Sequence, residues 1–359
     1  MRAPYDGARP TRGLAMLRRV FAIVFLSLLG AMPAAAQSDA DFYKGKTLQV
    51  LIGFGPGGAN DVWARLLARH MPRHMPHEPT FVAQNMPGAG TLKLANYLAT
   101  GAPRDGTVFG LISRGIPLEP LLGGANVQLD PQQMNWIGSP DRDTTVCATR
   151  KDAKVQSLSD LSSMELPVGA TGSGADSAVY PEFLAEFLGL KFKTIKGYPG
   201  SNEIIMAMER NEVQGICVAF SSIARTRLYT DREMNLLFQT GLEKDPGIPA
   251  DVPLATEMTR GNQQDTDALR LFLSRAALGR PFVAPPGVAE GRIKLLRRAF
   301  DATMADKAFV EEAQRVKLSV EPITGESISK ILTDIYKTPQ PVVQRVTKIL
   351  GNVAGPAQP

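Results

Sequence analysis

The sequence contains the stretch Gly53-Phe54-Gly55-Pro56-Gly57-Gly58-Ala59-Asn60-Asp61 between two regular segments. Residues 47–52 before it have the apolar and β-branched character of a strand, and residues 61–71 repeat apolar side chains at helical spacing. Glycines let the backbone approach a ligand closely, and the first turn of a helix leaves N–H groups without partners. This strand-to-helix loop therefore predicts a site for an anionic group such as a carboxylate.

Strand-like and helix-like segments alternate along the rest of the chain. Predicted strands lie at residues 80–83, 108–112, 146–148, 166–170, 192–195, 213–219 and 236–238. Predicted helices lie at residues 92–100, 177–188, 201–210, 288–304, 307–316, 327–336 and 342–350, with a short helix after Ser157. Residues 280–287 have the composition of a connector. The alternation predicts an α/β fold with mostly parallel sheets covered by helices on both faces.

Residues 1–36 have the features of a secretory signal peptide. Five arginines precede an apolar run at residues 20–32, and the small residues Ala34, Ala35 and Ala36 follow it. The run is shorter than the roughly 20 apolar residues that span a bilayer. We therefore expect cleavage near Ala36 and a periplasmic protein, with an uncleaved N-terminal anchor as the alternative.

Most of the excess positive charge lies in this segment. The chain has 40 Lys plus Arg and 35 Asp plus Glu, of which residues 1–36 hold five arginines and one aspartate, so 35 basic residues face 34 acidic ones after it. A nearly neutral chain does not offer the basic surface that follows nucleic-acid phosphates. Nucleic acid is therefore not an expected partner.

The length after the signal peptide predicts two domains, because about 320 residues exceed what one hydrophobic core usually supports. We expect a discontinuous first lobe at residues 37–142 and 279–359 and a second lobe at residues 143–278. The helical tail shows no strand of its own and is expected to pack on the first lobe. Two chain crossings near residues 140–146 and 278–286 would then form a hinge across a cleft.

Further strand-to-helix loops follow in the middle of the chain. Residues 170–176 follow a predicted strand and offer the hydroxyl groups of Thr171 and Ser173. Residues 197–201 repeat this arrangement, and Ser221 follows the strand predicted at residues 213–219. Ligands of open α/β sheets lie beyond the carboxyl ends of the strands. The loops of both lobes are therefore predicted to converge on one cleft.

The stretch at residues 53–58 also fits the dinucleotide-binding pattern G-x-G-x-x-G. Such a site needs an acidic residue about 20 positions on, at the end of the second strand, to bind the ribose. That strand ends at Asn85, Glu78 precedes it, and Pro56 removes one backbone donor from the loop. We therefore expect no cofactor, and an exported enzyme or sensor with a nucleotide-like ligand is the alternative hypothesis.

Signals for catalysis and for metal binding are weak. His70 and His74 have the i, i+4 spacing of a metal pair on a helix, but Pro72 and Pro76 interrupt this segment. A solvated helix end is the favoured interpretation. No serine stands in a G-x-S-x-G elbow, and no Cys-x-x-Cys occurs. The sequence therefore predicts a protein that is not an enzyme and has no metal site.

Cys147 and Cys217 are the two cysteines of the chain. After export they would face an oxidising compartment. A disulfide and two separately buried thiols are both compatible with the sequence, because pairing does not follow from spacing.

Three basic residues near the predicted loops, Lys93, Arg114 and Arg142, could meet a second carboxylate of a ligand. Most Lys and Arg side chains are solvated at the surface. We therefore predict a solvated surface position for each.

Several motifs follow one another in a defined order. They are Phe54-Gly55-Pro56-Gly57-Gly58 with Asp61 and Arg65, Asn85-Met86-Pro87-Gly88-Ala89-Gly90, Pro103-Arg104-Asp105-Gly106-Thr107, Gly172-Ser173-Gly174, Gly197-Tyr198-Pro199-Gly200, and Asn211-Glu212-Val213-Gln214-Gly215. Together with the connector at residues 281–287, they resemble the extracytoplasmic substrate-binding receptors of tripartite tricarboxylate transporters, the Bug family. One departure is Thr91-Leu92-Lys93, where the family often has further glycines.

The resemblance implies a two-lobed type II periplasmic-binding-protein fold with a central cleft and two hinge crossings. It also implies capture of a small organic acid and its delivery to membrane permease subunits by a receptor that we expect to be a monomer. In that family the strand-to-helix loops hold the ligand carboxylate, largely through backbone groups and waters. The loops and the resemblance together give the candidate ligand-binding residues Phe54, Gly57, Gly58, Ala59, Asn60, Asp61, Ser113, Thr171, Gly172, Ser173, Asp176, Ser201 and Ser221.

Overall fold

The computed structural model describes residues 1, 3, 38–142, 144–172, 175–259 and 261–354. The predicted signal peptide lies almost entirely outside the described residues. Among the residues that are described, no helix combines the length and the apolar character that crossing a membrane requires.

The first sheet combines strands from both ends of the chain. Its strands are β1 (Thr47–Ile52), β2 (Thr80–Asn85), β3 (Val108–Leu111), β4 (Asn135–Ser139), β10 (Phe282–Ala284) and β11 (Ile323–Thr324). Their spatial order is β11-β4-β10-β3-β1-β2. The strands β1, β2 and β3 are parallel, whereas β10 is antiparallel to β3 and β4. The carboxyl ends of β1 and β3 therefore lie at one edge, where Gly53 N donates to Leu111 O at 3.0 Å.

The second sheet is formed by one continuous part of the chain. Its strands are β5 (Thr145–Arg150), β6 (Leu166–Ala170), β7 (Phe192–Lys196), β8 (Gly215–Ala219) and β9 (Met234–Gln239). Their order is β7-β6-β8-β5-β9, with β6, β7 and β8 parallel and β5 antiparallel to both of its neighbours. Each sheet is therefore mixed, with a parallel half that carries the strand-to-helix loops.

Helices cover both sheets. Those joined to the first sheet are α1 (Asp39–Phe42), α2 (Ala59–His70), α3 (Leu92–Thr100), α10 (Glu290–Ala305), α11 (Lys307–Arg315) and α12 (Gly325–Ile335). Those of the middle part are α4 (Leu158–Ser163), α5 (Asp176–Leu188), α6 (Ser201–Glu209), α7 (Phe220–Ile223), α8 (Arg227–Thr230) and α9 (Gln263–Leu273), and α13 (Gln340–Ala354) comes last. Single turns of 3-10 helix lie at Met71–His74, Ala89–Thr91, Ile116–Leu118, Ala255–Thr259 and Ser274–Leu278.

Apolar side chains at the predicted spacing fix the position of α2. Trp63, Leu66 and Leu67 are fully buried on one face of this helix, and the Trp63 ring lies 6.2 Å from that of Phe309 in α11. Burial of a large apolar side chain stabilises a fold by about 1.5–3 kcal/mol. This packing fixes the position of α2 against α11, and with it the position of the loop at residues 53–58.

The prediction of a connector at residues 280–287 is wrong in its centre. Phe282, Val283 and Ala284 are fully buried and form β10 between β3 and β4. The prolines on both sides of this strand suggested a connector. Proline is nevertheless tolerated directly before a short strand and in the segment that follows it. The tail also has a strand, β11, so it is not purely helical.

The last helix does not pack on the first sheet. The helix α13 contacts α9 and α5, which belong to the middle part of the chain, while α10, α11 and α12 contact first-sheet elements. Val343 and Val346 are buried side chains of α13. The prediction that the whole tail returns to the first lobe is therefore wrong for α13, because its apolar face finds its partners on α9 and α5.

Candidate functional site

The loop at residues 53–61 closes tightly onto the first turn of α2. Gly57 has a φ of +86°, and its N–H donates to Asp61 Oδ2 at 2.9 Å. A β-carbon on Gly53 would lie 2.7 Å from the Cβ of Thr91, so only glycine permits this approach. The predicted residues Ala59 and Asn60 open the helix, and the Phe54 carbonyl accepts a hydrogen bond from Asn85 Nδ2 at 2.9 Å.

Asp61 is the centre of a network that supports this loop. Its carboxylate accepts from Arg65 Nε at 3.0 Å and from Asn85 Nδ2 at 2.8 Å, and Arg65 Nη2 donates to Asn85 Oδ1 at 2.7 Å. Burial opposes ionisation, but the hydrogen bonds from Arg65, Gly57 and Asn85 outweigh it and lower the pKa of Asp61. Asp61 is only 4 % exposed, so it stabilises the loop from its buried side.

We expect Asp61→Asn to lower the free energy of unfolding by about 2 kcal/mol at pH 7, because hydrogen bonds to a charged group contribute roughly 1.5–3 kcal/mol. A lowered folded-state pKa contributes stability above the ordinary pKa of about 4 that is lost as pH falls. The difference between variant and wild type should therefore shrink toward pH 3, as measured by urea unfolding. The matched control is Asp231→Asn, which breaks the exposed i, i+4 pair with Arg227; equal losses for both variants would contradict the role of Asp61.

The loops of the second sheet lie opposite the loop at residues 53–61. The N–H of Thr171 donates to Ser177 Oγ at 3.1 Å, and the two hydroxyl groups are 3.3 Å apart. Asp176 is the first residue of α5 and Ser201 the first of α6. Gly172 is half-buried, whereas the predicted residue Ser173 lies outside the described residues.

Three helices that begin at these loops have no side-chain cap. Their N-cap residues are Gly58 for α2, Ala175 for α5 and Gly200 for α6, and none accepts a hydrogen bond through its side chain. Among the helices elsewhere, some have such caps, from Ser157, Asn262, Asp306 and Thr324, whereas α3, α8 and α10 have none. The first-turn N–H groups of these three helices are therefore not capped from within, and they suit an anionic ligand.

Arg280 connects the loops of the two sheets. Its Nε donates to Asn60 Oδ1 at 2.9 Å, and its Nη2 donates to Ser221 Oγ at 3.4 Å. It also pairs with Asp141, and its side chain is 8 % exposed. Burial, together with the nearby charge of Arg114, lowers the pKa of Arg280 to about 9. Nothing in the sequence pointed to this residue except its position at the second crossing.

Arg114 forms the second connection, and its predicted solvated position is wrong. Its Nε donates to Asp176 Oδ2 at 2.8 Å, its Nη2 donates to Thr145 Oγ1 at 2.5 Å, and its side chain is 8 % exposed. The residue follows β3, so the carboxyl end of that strand directs it toward the second sheet. The neighbouring Ser113 is buried, and its Oγ accepts from Gly115 N at 3.4 Å.

The loops of the two sheets are close together. A β-carbon on Gly55 would lie 3.8 Å from the carbonyl oxygen of Pro199. The contacts of Arg280 and Arg114 thus bring together Asn60, Asp176 and Ser221 from the predicted set. We call the region bordered by residues 53–61, 112–115, 171–172, 175–176, 197–201, 219–222 and the two crossings the interlobe region.

The two cysteines form a disulfide within the second sheet. Cys147 in β5 stands directly opposite Cys217 in β8, with their Cα atoms 4.1 Å apart. Both side chains are buried. Of the two arrangements compatible with the sequence, the structure therefore has the bonded one.

The histidines do not form a solvated helix end. His70 is buried and hydrogen-bonds Glu312 and Arg73, and His74 pairs with Asp306. The acidic partners come from the end of α10 and from α11, far away in sequence. No group of three or more His, Cys, Asp or Glu residues suited to a metal ion occurs among the residues that the structure describes.

No family model matches the chain. Two curated proteins are similar along most of its length. A UPF0065 protein of Bordetella pertussis is 22% identical over 92% of this chain and 97% of its own length. A UPF0065 protein from the gbd 5′ region of Cupriavidus necator is 23% identical over 89% of this chain and 92% of its own.

Solved structures with the same fold include periplasmic binding proteins. BugD is 21% identical with a TM-score of 0.62, covering 86% of this chain and 98% of its own. MatC of Rhodopseudomonas palustris with bound malate is 18% identical with a TM-score of 0.63, covering 85% and 99%. A TctC solute-binding protein from Polaromonas is 15% identical with a TM-score of 0.58, covering 84% and 99%. The chain therefore has the α/β fold of the TctC and Bug periplasmic binding proteins, and the resemblance stated from its motifs is confirmed.

Proposed function

We propose that the protein is a periplasmic solute receptor that captures a small organic anion in the interlobe region through a carboxylate group. In this proposal it performs no catalysis, acts as a monomer, and delivers the solute to permease subunits of a tripartite tricarboxylate-type transporter. The lobes have the bounds expected from the sequence, residues 37–142 with 279–359 and residues 143–278, except that α13 packs on the second lobe. The hinge lies at the two crossings near residues 140–146 and 278–286.

The observation that carries the proposal is the set of uncapped helix starts on both sides of the interlobe region. The helices α2, α5 and α6 begin at Gly58, Ala175 and Gly200 without a side-chain cap. A helix N-terminus carries partial positive charge and free N–H donors, which suit a carboxylate. The malate in the MatC structure is a ligand of this chemistry.

A direct test is thermal unfolding of the exported protein in the presence of organic acids. A ligand at about 100 times its Kd adds about 2.7 kcal/mol of stability. We expect a clear rise in Tm with at least one small carboxylate and none with nucleotides. Stabilisation by a nucleotide, without any by carboxylates, would favour the alternative of an exported enzyme or sensor.

Gly58→Asp should separate binding from stability. Position 58 has ordinary extended backbone, with a φ of −76°, and a β-carbon there meets nothing within 4 Å. An aspartate would cap α2 from within, which stabilises a helix by about 0.5–2 kcal/mol. The same carboxylate would occupy the donors and repel an anionic ligand. We expect unchanged or higher Tm and at least tenfold weaker carboxylate binding by calorimetry.

The control is Ala289→Asp, which adds the same cap to α10. Ala289 is exposed, has no side-chain cap hydrogen bond, and starts a helix that packs on first-sheet elements away from the interlobe loops. It should leave ligand affinity unchanged. If Gly58→Asp binds carboxylates as tightly as Ala289→Asp does, the start of α2 is not part of the site.

A further inference from the structure

Arg275 is a fully buried guanidinium beside the second crossing. It lies in the 3-10 turn Ser274–Leu278 and is 1% exposed. Its Nε donates to the Phe272 carbonyl at 2.9 Å, and its Cζ lies 4.3 Å from the centre of the Phe272 ring. Within the described part of the chain, no carboxylate pairs with it and its Nη2 has no hydrogen-bond partner. A buried cation without an anion is strongly disfavoured.

Tyr180 presents a second buried donor beside Arg275. The ring of Tyr180 meets the Phe272 ring edge to face at a distance of 5.5 Å, so Tyr180 and Arg275 both pack on Phe272. Its hydroxyl is buried and has no hydrogen-bond partner within 3.5 Å among the described residues, although the Thr240 side chain is near enough to interact with it. Burial raises the pKa of Tyr180 to about 12, and the charge of Asp176 acts in the same direction, whereas the charges of Arg114 and Arg275 and the Thr240 side chain lower it. The phenol therefore stays protonated, and the charges of both guanidinium groups act on it.

The loop that carries Arg114 lies against Arg275. A β-carbon on Gly115 would lie 3.0 Å from Arg275 Nη1 and 3.9 Å from Ser113 Oγ. Arg114 reaches from this loop to Asp176. The charges of Arg114 and Arg275 both act on the Tyr180 hydroxyl, and Asp176 is the carboxylate in direct contact with Arg114. Glu119 acts on Arg275 only from a distance: burial raises its pKa, and the charge of Arg275 lowers it. Among the described residues, the guanidinium of Arg275 therefore has no carboxylate in direct contact.

We infer that Arg275, Tyr180 and Arg114 form an anion subsite at the inner end of the interlobe region, which receives a second carboxylate of the captured solute. The inference rests on the proposed function, in which the first carboxylate binds at the helix starts. A carboxylate there would accept from Arg275 Nη2 and from the Tyr180 hydroxyl and would balance the remaining positive charge. These residues then determine specificity, because a solute with one carboxylate leaves the buried guanidinium uncompensated.

The test compares each dicarboxylate with its own monoamide, which has the same length and loses one charge. Succinate with succinamate, and the corresponding pairs with five and six carbons, would be titrated by calorimetry into wild type, Arg275→Met and Tyr180→Phe. We expect wild type to bind the best dicarboxylate at least tenfold more tightly than its monoamide. The preference should fall below about twofold in Arg275→Met and weaken several-fold in Tyr180→Phe.

A stability measurement separates this role from a structural one. Methionine removes the buried charge and keeps much of the volume, so ligand-free Arg275→Met should melt no lower than wild type. The matched control is Arg297→Met, which removes a half-buried arginine that pairs with Glu326 away from the interlobe region. It should keep the tenfold preference. If Arg275→Met does not fold, Tyr180→Phe alone decides the result.

The outcomes distinguish the subsite from the proposed function. Equal affinity of wild type for dicarboxylates and monoamides, or an unchanged preference in Arg275→Met and Tyr180→Phe, overturns the subsite and leaves the receptor function intact. Failure of wild type to bind any carboxylate overturns both. A Tm that rises with chloride in wild type but not in Arg275→Met, without a dicarboxylate preference, assigns these donors to a free inorganic anion and contradicts the inference.

Discussion

Replacing Cys147 and Cys217 together by alanine is expected to lower the free energy of unfolding by about 4 kcal/mol. The bond closes a loop with a sequence separation of 70 residues. A crosslink of that length restricts the unfolded chain by about 4 kcal/mol in the loop-entropy description. Equilibrium unfolding in guanidinium chloride, followed by circular dichroism, measures this loss.

Reduced wild type is the control for this variant, because alanine also removes two buried sulfur atoms. Comparison of oxidised with reduced wild type isolates the covalent bond, and comparison of reduced wild type with the double variant isolates the loss of packing. The bond should account for most of the difference. A double variant within about 1 kcal/mol of oxidised wild type would show that the crosslink contributes little to stability.

Gly279→Ala is expected to lower the free energy of unfolding by about 3 to 5 kcal/mol. Gly279 lies at the second crossing with φ +59° and ψ −125°, a conformation that residues with a side chain rarely adopt. A β-carbon there would also collide with the Asp141 carbonyl oxygen and with Ser139 Oγ. The methyl group would push the two crossings apart, and because Asp141 pairs with Arg280, carboxylate affinity should fall with stability.

Gly189→Ala separates the two causes of the stability loss expected in Gly279→Ala, which are the backbone conformation and the steric collision. Gly189 ends α5 with φ +68°, and a β-carbon there meets nothing within 4 Å. Alanine at this position carries only the cost of the left-handed conformation, about 1 kcal/mol. Urea unfolding of both variants should therefore give a much larger loss for Gly279→Ala. Similar losses would show that the crossings tolerate a methyl group.

Local chemistry explains why the first loop could be predicted from the sequence. The glycines at residues 53–58 and the helical repeat after them depend on neighbours within a few positions, and the structure places the start of α2 within two residues of the prediction. The same holds for α5, whose observed bounds Asp176–Leu188 lie within one residue of the helix predicted at residues 177–188. Periodicity and capping are properties of short segments, so they can be recognised without knowledge of the tertiary fold.

The charged groups of the interlobe region could not be predicted in this way. Arg114 is buried because Asp176, 62 positions later, accepts its hydrogen bond, and Arg280 contacts Asn60 from 220 positions away. Arg275 is buried by its place between Phe272 and Gly115. An arginine in a sequence resembles any solvated cation until its partners are known. The positions that most influence ligand choice in our proposal were therefore the least visible ones.

The placement of β10 constrains the order in which the two sheets can be completed as the chain emerges. This strand, at residues 282–284, lies between β3 and β4, so these two strands have no shared neighbour until the later part of the chain arrives. The second sheet, by contrast, uses only residues 145–239 and can close its disulfide as soon as they have emerged. Pairing across long sequence separations is slow, because loop closure must come first. When the chain emerges from its N-terminus, we therefore expect the strands and the disulfide of the second sheet to pair before β10 completes the first sheet. In our proposal, the site is therefore complete only after residues 282–284 have joined the first sheet.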